Sequence, residues 1–400
     1  MKRVLLVAPF TTLPGEGGRN RFQSLAELFA EDYDCHVITS RFHHLPKKHR
    51  TLPAQFTTQA GYQVTLLDEP GYQTNVSVKR FFSHRAFVTH LRRTLDVIQM
   101  PDLVYSAFPL IGSNLVLGRW CQRQGIPLVV DVQDVWPESF ASVIPALKPR
   151  FNDVLWPLSY RANKAYRAAD AVVAVSKTYL DRALSARKTP CPGVSVYIGS
   201  DDQLIQSMTS DKAKDNDRFS VVYIGTLSHS YDVATLVRAA NQLNGLPISI
   251  SVLGTGPDYD ELVRLNHSLG GRVIFTGQLP FEQMIQQLQS ADLAVNAIRA
   301  GASQSFTNKL SDYFSLGLPL LSSQTCPEVK ALLASSGAGQ YYPAGDAEAL
   351  AQAIINLYQQ PEQLGLMRER SADVGRRYFR RSQTYPAIVA LIRDLLGESC

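Results

Sequence analysis

Short apolar runs alternate with longer amphipathic stretches along nearly all 400 residues, and this rhythm constrains the fold most. In the first half the runs are Arg3–Ala8, His36–Thr39, Gln63–Leu67, Leu103–Ser106, Leu128–Asp131, Ala171–Val175 and Ser195–Ile198, with helical stretches such as Arg21–Ala30, Val78–Gln99 and Asn114–Gln124 between them. Runs that are apolar throughout predict strands covered on both faces, and repeated strand–helix–strand order predicts parallel sheets. The stretch from Gly199 to Arg218 breaks the rhythm, and its polar part, Ser210–Arg218, reads as a linker. A second series then follows: Ser220–Ile224, Ile248–Leu253, Val273–Thr276, Leu293–Ala297 and Pro319–Ser322, with helices Asp232–Leu243, Tyr259–Leu269, Phe281–Gln289 and Lys309–Ser315. The chain is too long for one ordinary core and predicts two α/β, doubly wound domains of about 200 residues each. Their expected bounds are 1–200 and 218–381, with a last helix near Thr384–Leu396, inside 382–400, returning to the first domain. Ligands bind beyond the carboxyl ends of such strands, so a cleft between the domains is the expected site.

Composition narrows the classes. A chain with 45% hydrophobic and 19% charged residues is globular rather than disordered. The five cysteines are scattered without ligand spacing, which fits reduced thiols and a cytoplasmic protein. The apolar run Val4–Pro9 is too short for a signal peptide, and no segment reaches the roughly 18 apolar residues of a membrane span. The net charge of +5 is unevenly spread. Nine bases lie between Arg41 and Arg93, against Asp68 and Glu69, with Phe81, Phe82 and Phe87 interleaved. Two readings stand: peripheral contact with the anionic inner face of a cell membrane, or a solvated helix face with core phenylalanines. Nucleic acid is not expected, because no matching motif accompanies the charge.

Phe306–Pro319 is the strongest local signal: a polar loop opens a helix, Gly317 stops it and Pro319 starts a strand. A helix amino terminus offers free amides suited to a diphosphate. Lys309 lies in the first turn and Asp312 one turn later, as a phosphate and ribose clamp or as an ordinary surface pair. Near the N-terminus, Pro14–Asn20 is glycine-rich but not G-x-G-x-x-G, and no acid ends the second strand at Ile38-Thr39-Ser40, which argues against a dinucleotide oxidoreductase. Asp131-Val132-Gln133-Asp134-Val135-Trp136-Pro137-Glu138 ends a strand where carboxylates can meet substrate; Trp136 can stack on a sugar, and Asp131 reads as structural. Asp215-Asn216-Asp217 and Asp258-Tyr259-Asp260 read as a linker and a helix cap rather than as metal ligands, so no metal is expected.

Together these segments resemble the family-4 retaining glycosyltransferases of the GT-B fold, two Rossmann-like domains with an interdomain cleft. The resemblance rests on Asn308-Lys309-x-x-Asp312-Tyr313 with Gly317-x-Pro319, on Val222–Leu227, Leu253–Pro257, Val273–Pro280 and Ala291–Val295, and in the first half on Ala169–Ser176, Ile198–Asp201 and the Asp134-x-Trp136-Pro137-Glu138 signature. It implies an acceptor-binding first domain and a nucleotide-sugar-binding second one. A UDP-, GDP- or dTDP-sugar is the donor, with no separate cofactor. The donor side takes Gly17, Gly18, Gly225, Thr226, Gly254, Leu279, Thr307, Asn308, Lys309, Leu310 and Asp312, the amides of Thr307 to Leu310 and Lys309 stabilising the leaving diphosphate. Asp134, then Glu138, orient the transferred sugar or the acceptor hydroxyl. The acceptor is a glycan or lipid-linked saccharide of surface polysaccharide biosynthesis, and the anomeric configuration is retained. The chain departs from the pattern in three places. Gln133 stands where many members have His; Gln304 stands where the family has its first Glu; and Thr226–Asp232 lacks the usual Arg and Lys. Phosphate charge then falls on Lys309 and, unless it is a surface residue, Arg299. The alternatives are a GT-B nucleotide-sugar epimerase and a non-catalytic nucleotide-binding protein.

Overall fold

The computed structural model describes residues 1–74, 77–139, 151–208, 218–302 and 306–398. Most of the expected linker, Asp215-Asn216-Asp217, Gln304 and Cys400 lie outside them. The chain divides into two compact units, Met1–Val196 with Tyr385–Cys400, and Tyr197–Thr384.

The first unit is built on an eight-stranded sheet in the order Gly193–Ser195, Ala171–Ala174, Leu128–Val132, Leu103–Phe108, Arg3–Val7, Asp34–Ser40, Gln63–Leu67, Gln55–Thr57. All its pairings are parallel except the edge strand Gln55–Thr57, which a tight turn through Gly61 (φ 89°) lays antiparallel on Gln63–Leu67. From Arg3–Val7 the chain winds outward first one way and then the other, so the switch point lies between Arg3–Val7 and Leu103–Phe108. Central strands are covered on both faces: Val4, Leu5, Leu6 and Val7 are all buried. Local chemistry sets the helix ends. Asn20 caps Arg21–Asp32 by accepting from the Gln23 amide, and Gly125 closes Ile111–Gln124 in the left-handed conformation.

The last helix is Pro386–Leu395, with Pro386 in its first turn. Ile388, Val389 and Ile392 pack in one core with Val4, Leu6, Phe29, Tyr105 and Val129. The helix is shorter than its apolar pattern suggests, because a wide turn, Gly375–Phe379, and a short helix, Arg381–Thr384, precede it.

The second unit has a six-stranded, wholly parallel sheet in the order Val273–Gly277, Ile248–Leu253, Phe219–Ile224, Leu293–Asn296, Leu320–Ser322, Gly339–Tyr341. Its switch point separates Phe219–Ile224 from Leu293–Asn296. Alternate residues of one strand enter opposite cores: Val221 and Tyr223 pack with Leu236, Ile250 and Leu293, whereas Val222 and Ile224 pack with Leu310, Phe314 and Leu320. Helix Asn308–Ser315 therefore covers one face of the switch point with its apolar side. The break expected after Gly199 instead holds a short helix, Asp202–Met208, opened by Asp201, whose carboxylate accepts from the Leu204 amide.

Candidate active site

Two glycine turns shape the carboxyl edge of the second sheet. After Phe219–Ile224, Gly225 turns at φ 128°; after Ile248–Leu253, Gly254 turns at φ 149°. A Cβ on Gly254 would stand 2.0 Å from the Gly225 carbonyl oxygen, and one on Gly256 2.2 Å from that of Leu227. The two turns are bonded backbone to backbone, Gly225 N to Leu253 O at 2.9 Å and Leu227 N to Thr255 O at 3.0 Å. Gly254 is thus required by the close approach of two backbone segments.

Lys309 lies beneath this edge. A Cβ on Gly225 would meet its Nζ at 3.0 Å, so a side chain there would press on the amine. Only 6% of Lys309 is exposed. Its Nζ donates to the Tyr223 hydroxyl at 3.0 Å and stands 4.3 Å from the Tyr223 ring centre and 3.8 Å from that of Tyr231. No carboxylate pairs with it among the described residues. Burial alone pushes its pKa well below the usual lysine range. A cation held only by aromatic faces and a phenol is poised to pair with an entering anion.

The amino end of helix Asn308–Ser315 adds donors. Thr307 occupies the cap position without a side-chain cap bond, and its buried Oγ1 has no partner among the described residues. Leu310 differs from expectation: its amide donates to the Thr307 carbonyl at 3.1 Å and its side chain is in the core, which leaves the amides of Asn308 and Lys309 without a partner among the described residues. Asp312 and Lys309 do not form the ordinary surface pair that was the alternative to a clamp. Asp312 Oδ1 accepts from the Ser200 hydroxyl at 2.8 Å, and Arg381 is its charged neighbour. Three residues along a helix leave the two side chains about 60° apart in direction, enough to send one under Gly225 and the other toward Gly199–Asp201. Burial raises Asp312 to about 6, against the lowering effects of Ser200 and Arg381.

The remaining second-unit candidates ring the same edge. Thr226 is exposed, and its carbonyl accepts from Tyr223 Oη at 3.3 Å. Arg299 follows Leu293–Asn296, is exposed, and its guanidinium stands 3.4 Å from the His229 ring. Leu279 packs partly against the core beyond Gly277. The structure thus brings Gly225, Thr226, Gly254, Arg299 and Lys309 to one sheet edge, with Thr307 and Asn308 beside Lys309. Tyr223 and Tyr231, which hold the amine, carry no local sequence signal. Asp258 stands at the cap of its helix but makes no cap bond. Among the described residues no three His, Cys, Asp or Glu side chains group as a metal site requires.

In the first unit, Gly17 and Gly18 are exposed at φ 80° and 69°. Their loop is pinned by Glu16, which accepts from Arg50 Nε at 2.6 Å and from the Leu13 amide at 2.9 Å. Asp134 follows Leu128–Val132, but its carboxylate is turned into its own loop. It accepts from the Val135 amide at 2.8 Å, Trp136 Nε1 at 2.9 Å and the Ser139 hydroxyl. Burial still raises its pKa. Glu138 is held by Arg182 Nε at 2.6 Å. Asp131, fully buried, accepts from Arg21 Nε at 2.7 Å and Tyr105 Oη at 2.6 Å. Arg21 also reaches the Val196 carbonyl at 2.9 Å and lies over Tyr385, tying sheet, first helix and last helix together.

The model of the glycosyl transferase 4-like domain matches residues 16–190, and that of glycosyl transferases group 1 matches residues 218–360. No curated protein sequence matches the chain. Its fold is similar to that of sucrose-phosphate synthase from Thermosynechococcus elongatus, with 17% identity, TM-score 0.75 and full coverage of both chains. It is also similar to Anabaena Alr3699/HepE in complex with UDP, with 16% identity, TM-score 0.69, and 98% of this chain and 100% of that one covered. The E. coli trehalose-6-phosphate protein bound with UDP-2-fluoro glucose shares 11% identity at TM-score 0.71 over 99% of each chain.

Proposed function

The chain is a glycosyltransferase of the GT-B fold, and from that premise we propose that its second unit grips the diphosphate of a nucleotide-sugar donor at the amino end of helix Asn308–Ser315. One observation carries this reading: Lys309 is buried under Gly225 at the sheet switch point, against two tyrosine rings and without a carboxylate partner among the described residues. As the bond from sugar to diphosphate breaks, charge grows on the leaving oxygen. The Lys309 ammonium and the amides of Asn308 and Lys309 offset it in a site of low dielectric. Thr307 Oγ1, Thr226 and Arg299 complete the phosphate side, Gly254 and Leu279 border the nucleoside, and Asp312 offers its second oxygen to the ribose. No metal is needed where a helix terminus and a lysine supply the charge.

In the first unit, Asp134 and Glu138 act as positioning residues. They hold the turn that presents Trp136, and the sugar or acceptor meets that turn. The acceptor is a hydroxyl of a surface-polysaccharide glycan, and the family resemblance supports retention.

Thermal stability with UDP-, GDP- and dTDP-sugars tests the clamp. The best donor at 100 times its Kd should stabilise the protein by about 2.7 kcal/mol. Lys309→Ala should lose most of that gain, and turnover should fall about 10²–10³-fold. Equal stabilisation of both proteins would sink the reading.

A further inference from the structure

The first unit carries an open groove of about 570 Å³ between helices Val78–Leu95 and Phe151–Arg167. Its walls are apolar: Phe81, Val88, Leu110, Ile111, Pro157 and Leu158. Arg85, Arg92 and Arg161 stand in its lining, all exposed, and among the described residues no acidic side chain lines it. Large apolar side chains continue onto the flanking surface, where Phe82 is 58% and Trp156 61% exposed. Soluble faces rarely keep such groups together without an apolar partner. Among the described residues no helix is long and apolar enough to cross a membrane, so these groups belong to no span.

The groove runs inward to the carboxyl edge of the first sheet. Leu110 follows Leu103–Phe108, and Trp136 follows Leu128–Val132. At that end His84 and Trp136 line the groove, and the side chains packed around them are polar and basic. The Arg80 guanidinium lies 5.3 Å from the Trp136 ring centre and 5.4 Å from that of Tyr72. The His84 ring faces Trp136 at 6.5 Å, His44 Nδ1 is 2.5 Å from Tyr72 Oη, and Lys47 Nζ is 3.2 Å from the same nitrogen. Burial and then Arg80 push His84 down to about 3, so it is a neutral hydrogen-bonding ring at physiological pH, and the Arg80 guanidinium beside it supplies fixed positive charge. A volume of this size holds one chain of a small ligand rather than a bilayer face.

We propose that this groove binds the hydrocarbon chain of a lipid diphosphate whose saccharide is the acceptor, with the diphosphate on the Arg80–His84 end. The inference rests on the transferase reading and deepens it, naming a lipid-linked acceptor. An apolar tail fits the walls, the arginines match the anionic group, and the inner end delivers the attached sugar to the edge where Trp136 stands.

Calorimetry with farnesyl diphosphate, farnesol and inorganic pyrophosphate tests it. Farnesyl diphosphate should bind about tenfold or more tightly than either fragment compound. Leu158→Glu and Phe81→Glu, both at exposed positions, should each cost about tenfold in Kd. Arg80→Ala should weaken farnesyl diphosphate but not farnesol, and Lys309→Ala should change neither. Three results would overturn the proposal. Farnesyl diphosphate could bind no better than pyrophosphate, or lose its binding in Lys309→Ala but not in Leu158→Glu. Vesicles of phosphatidylglycerol without isoprenoid could compete equally well, which would make the groove a general bilayer contact. The donor reading is judged separately, because UDP-sugar stabilisation depends on Lys309 and should survive every groove substitution.

Discussion

Lys309 and Asp312 are three residues apart in sequence, yet burial acts on each with a different consequence. Burial disfavours either charge, lowering the lysine and raising the carboxyl. Asp312 titrates at about 6, above the ordinary carboxylate value near 3.9. The folded state therefore holds this proton more tightly than the unfolded chain. The stability this group contributes is fully present below about pH 4 and is lost as pH rises through 6. Asp312→Asn, which keeps an acceptor for Ser200, should match the native protein at pH 4 and exceed it by about 1–3 kcal/mol at pH 7.5. Urea unfolding at both pH values checks this, and a pH-independent difference would refute it. Much at this scale was legible: the pairing of Asn308 and Lys309 with a helix start marked the candidate donor terminus. The partners were not. Tyr223 is 86 residues from Lys309, and Ser200 is 112 from Asp312, so neither contact leaves a local pattern.

At the level of elements, one phenol on the helix that carries Lys309 ties it to two strands at once. Tyr313 Oη accepts from the Ile224 amide at 2.8 Å and stands 3.4 Å from the Val295 carbonyl, so it bridges the two strands flanking the switch point. Tyr313→Phe leaves a buried amide unpaired and should cost about 1–3 kcal/mol in chemical unfolding. The loosened helix should raise the KM for donor more than it lowers kcat; unchanged stability would deny Tyr313 this role. Most strands were visible in the sequence because a parallel strand buried on both faces is a continuous apolar run. The antiparallel edge Gln55–Thr57, half-exposed and polar, offered no such run. Gly254 was expected on the donor side from the resemblance alone; its close approach to Gly225, which comes from two neighbouring strands ending side by side, has no local sequence signal.

At the level of the molecule, the chain leaves its first unit at Val196 and re-enters it at Tyr385. Ile388 and Ile392 are buried among residues more than 250 positions earlier, such as Val129 and Phe29. Ile388→Ser with Ile392→Ser should therefore destabilise the first unit by roughly 4–8 kcal/mol, summing two core truncations. Hydrogen exchange should show strands Arg3–Val7 and Leu103–Phe108 opening while Phe219–Ile224 stays protected. Equal loss in both units would contradict the assignment of this helix to the first core.

The α/β class, the parallel sheets and the position of the lysine-bearing helix were determined by the sequence itself, because burial on two faces and helix termini impose local, periodic composition. The tertiary structure alone decided which groups surround Lys309, where Asp312 and Asp134 direct their carboxylates, and that Arg85, Arg92 and Arg161 border one apolar groove. Those outcomes depend on segments far apart in the chain meeting at a sheet edge, and distance in sequence erases the pattern that would announce them.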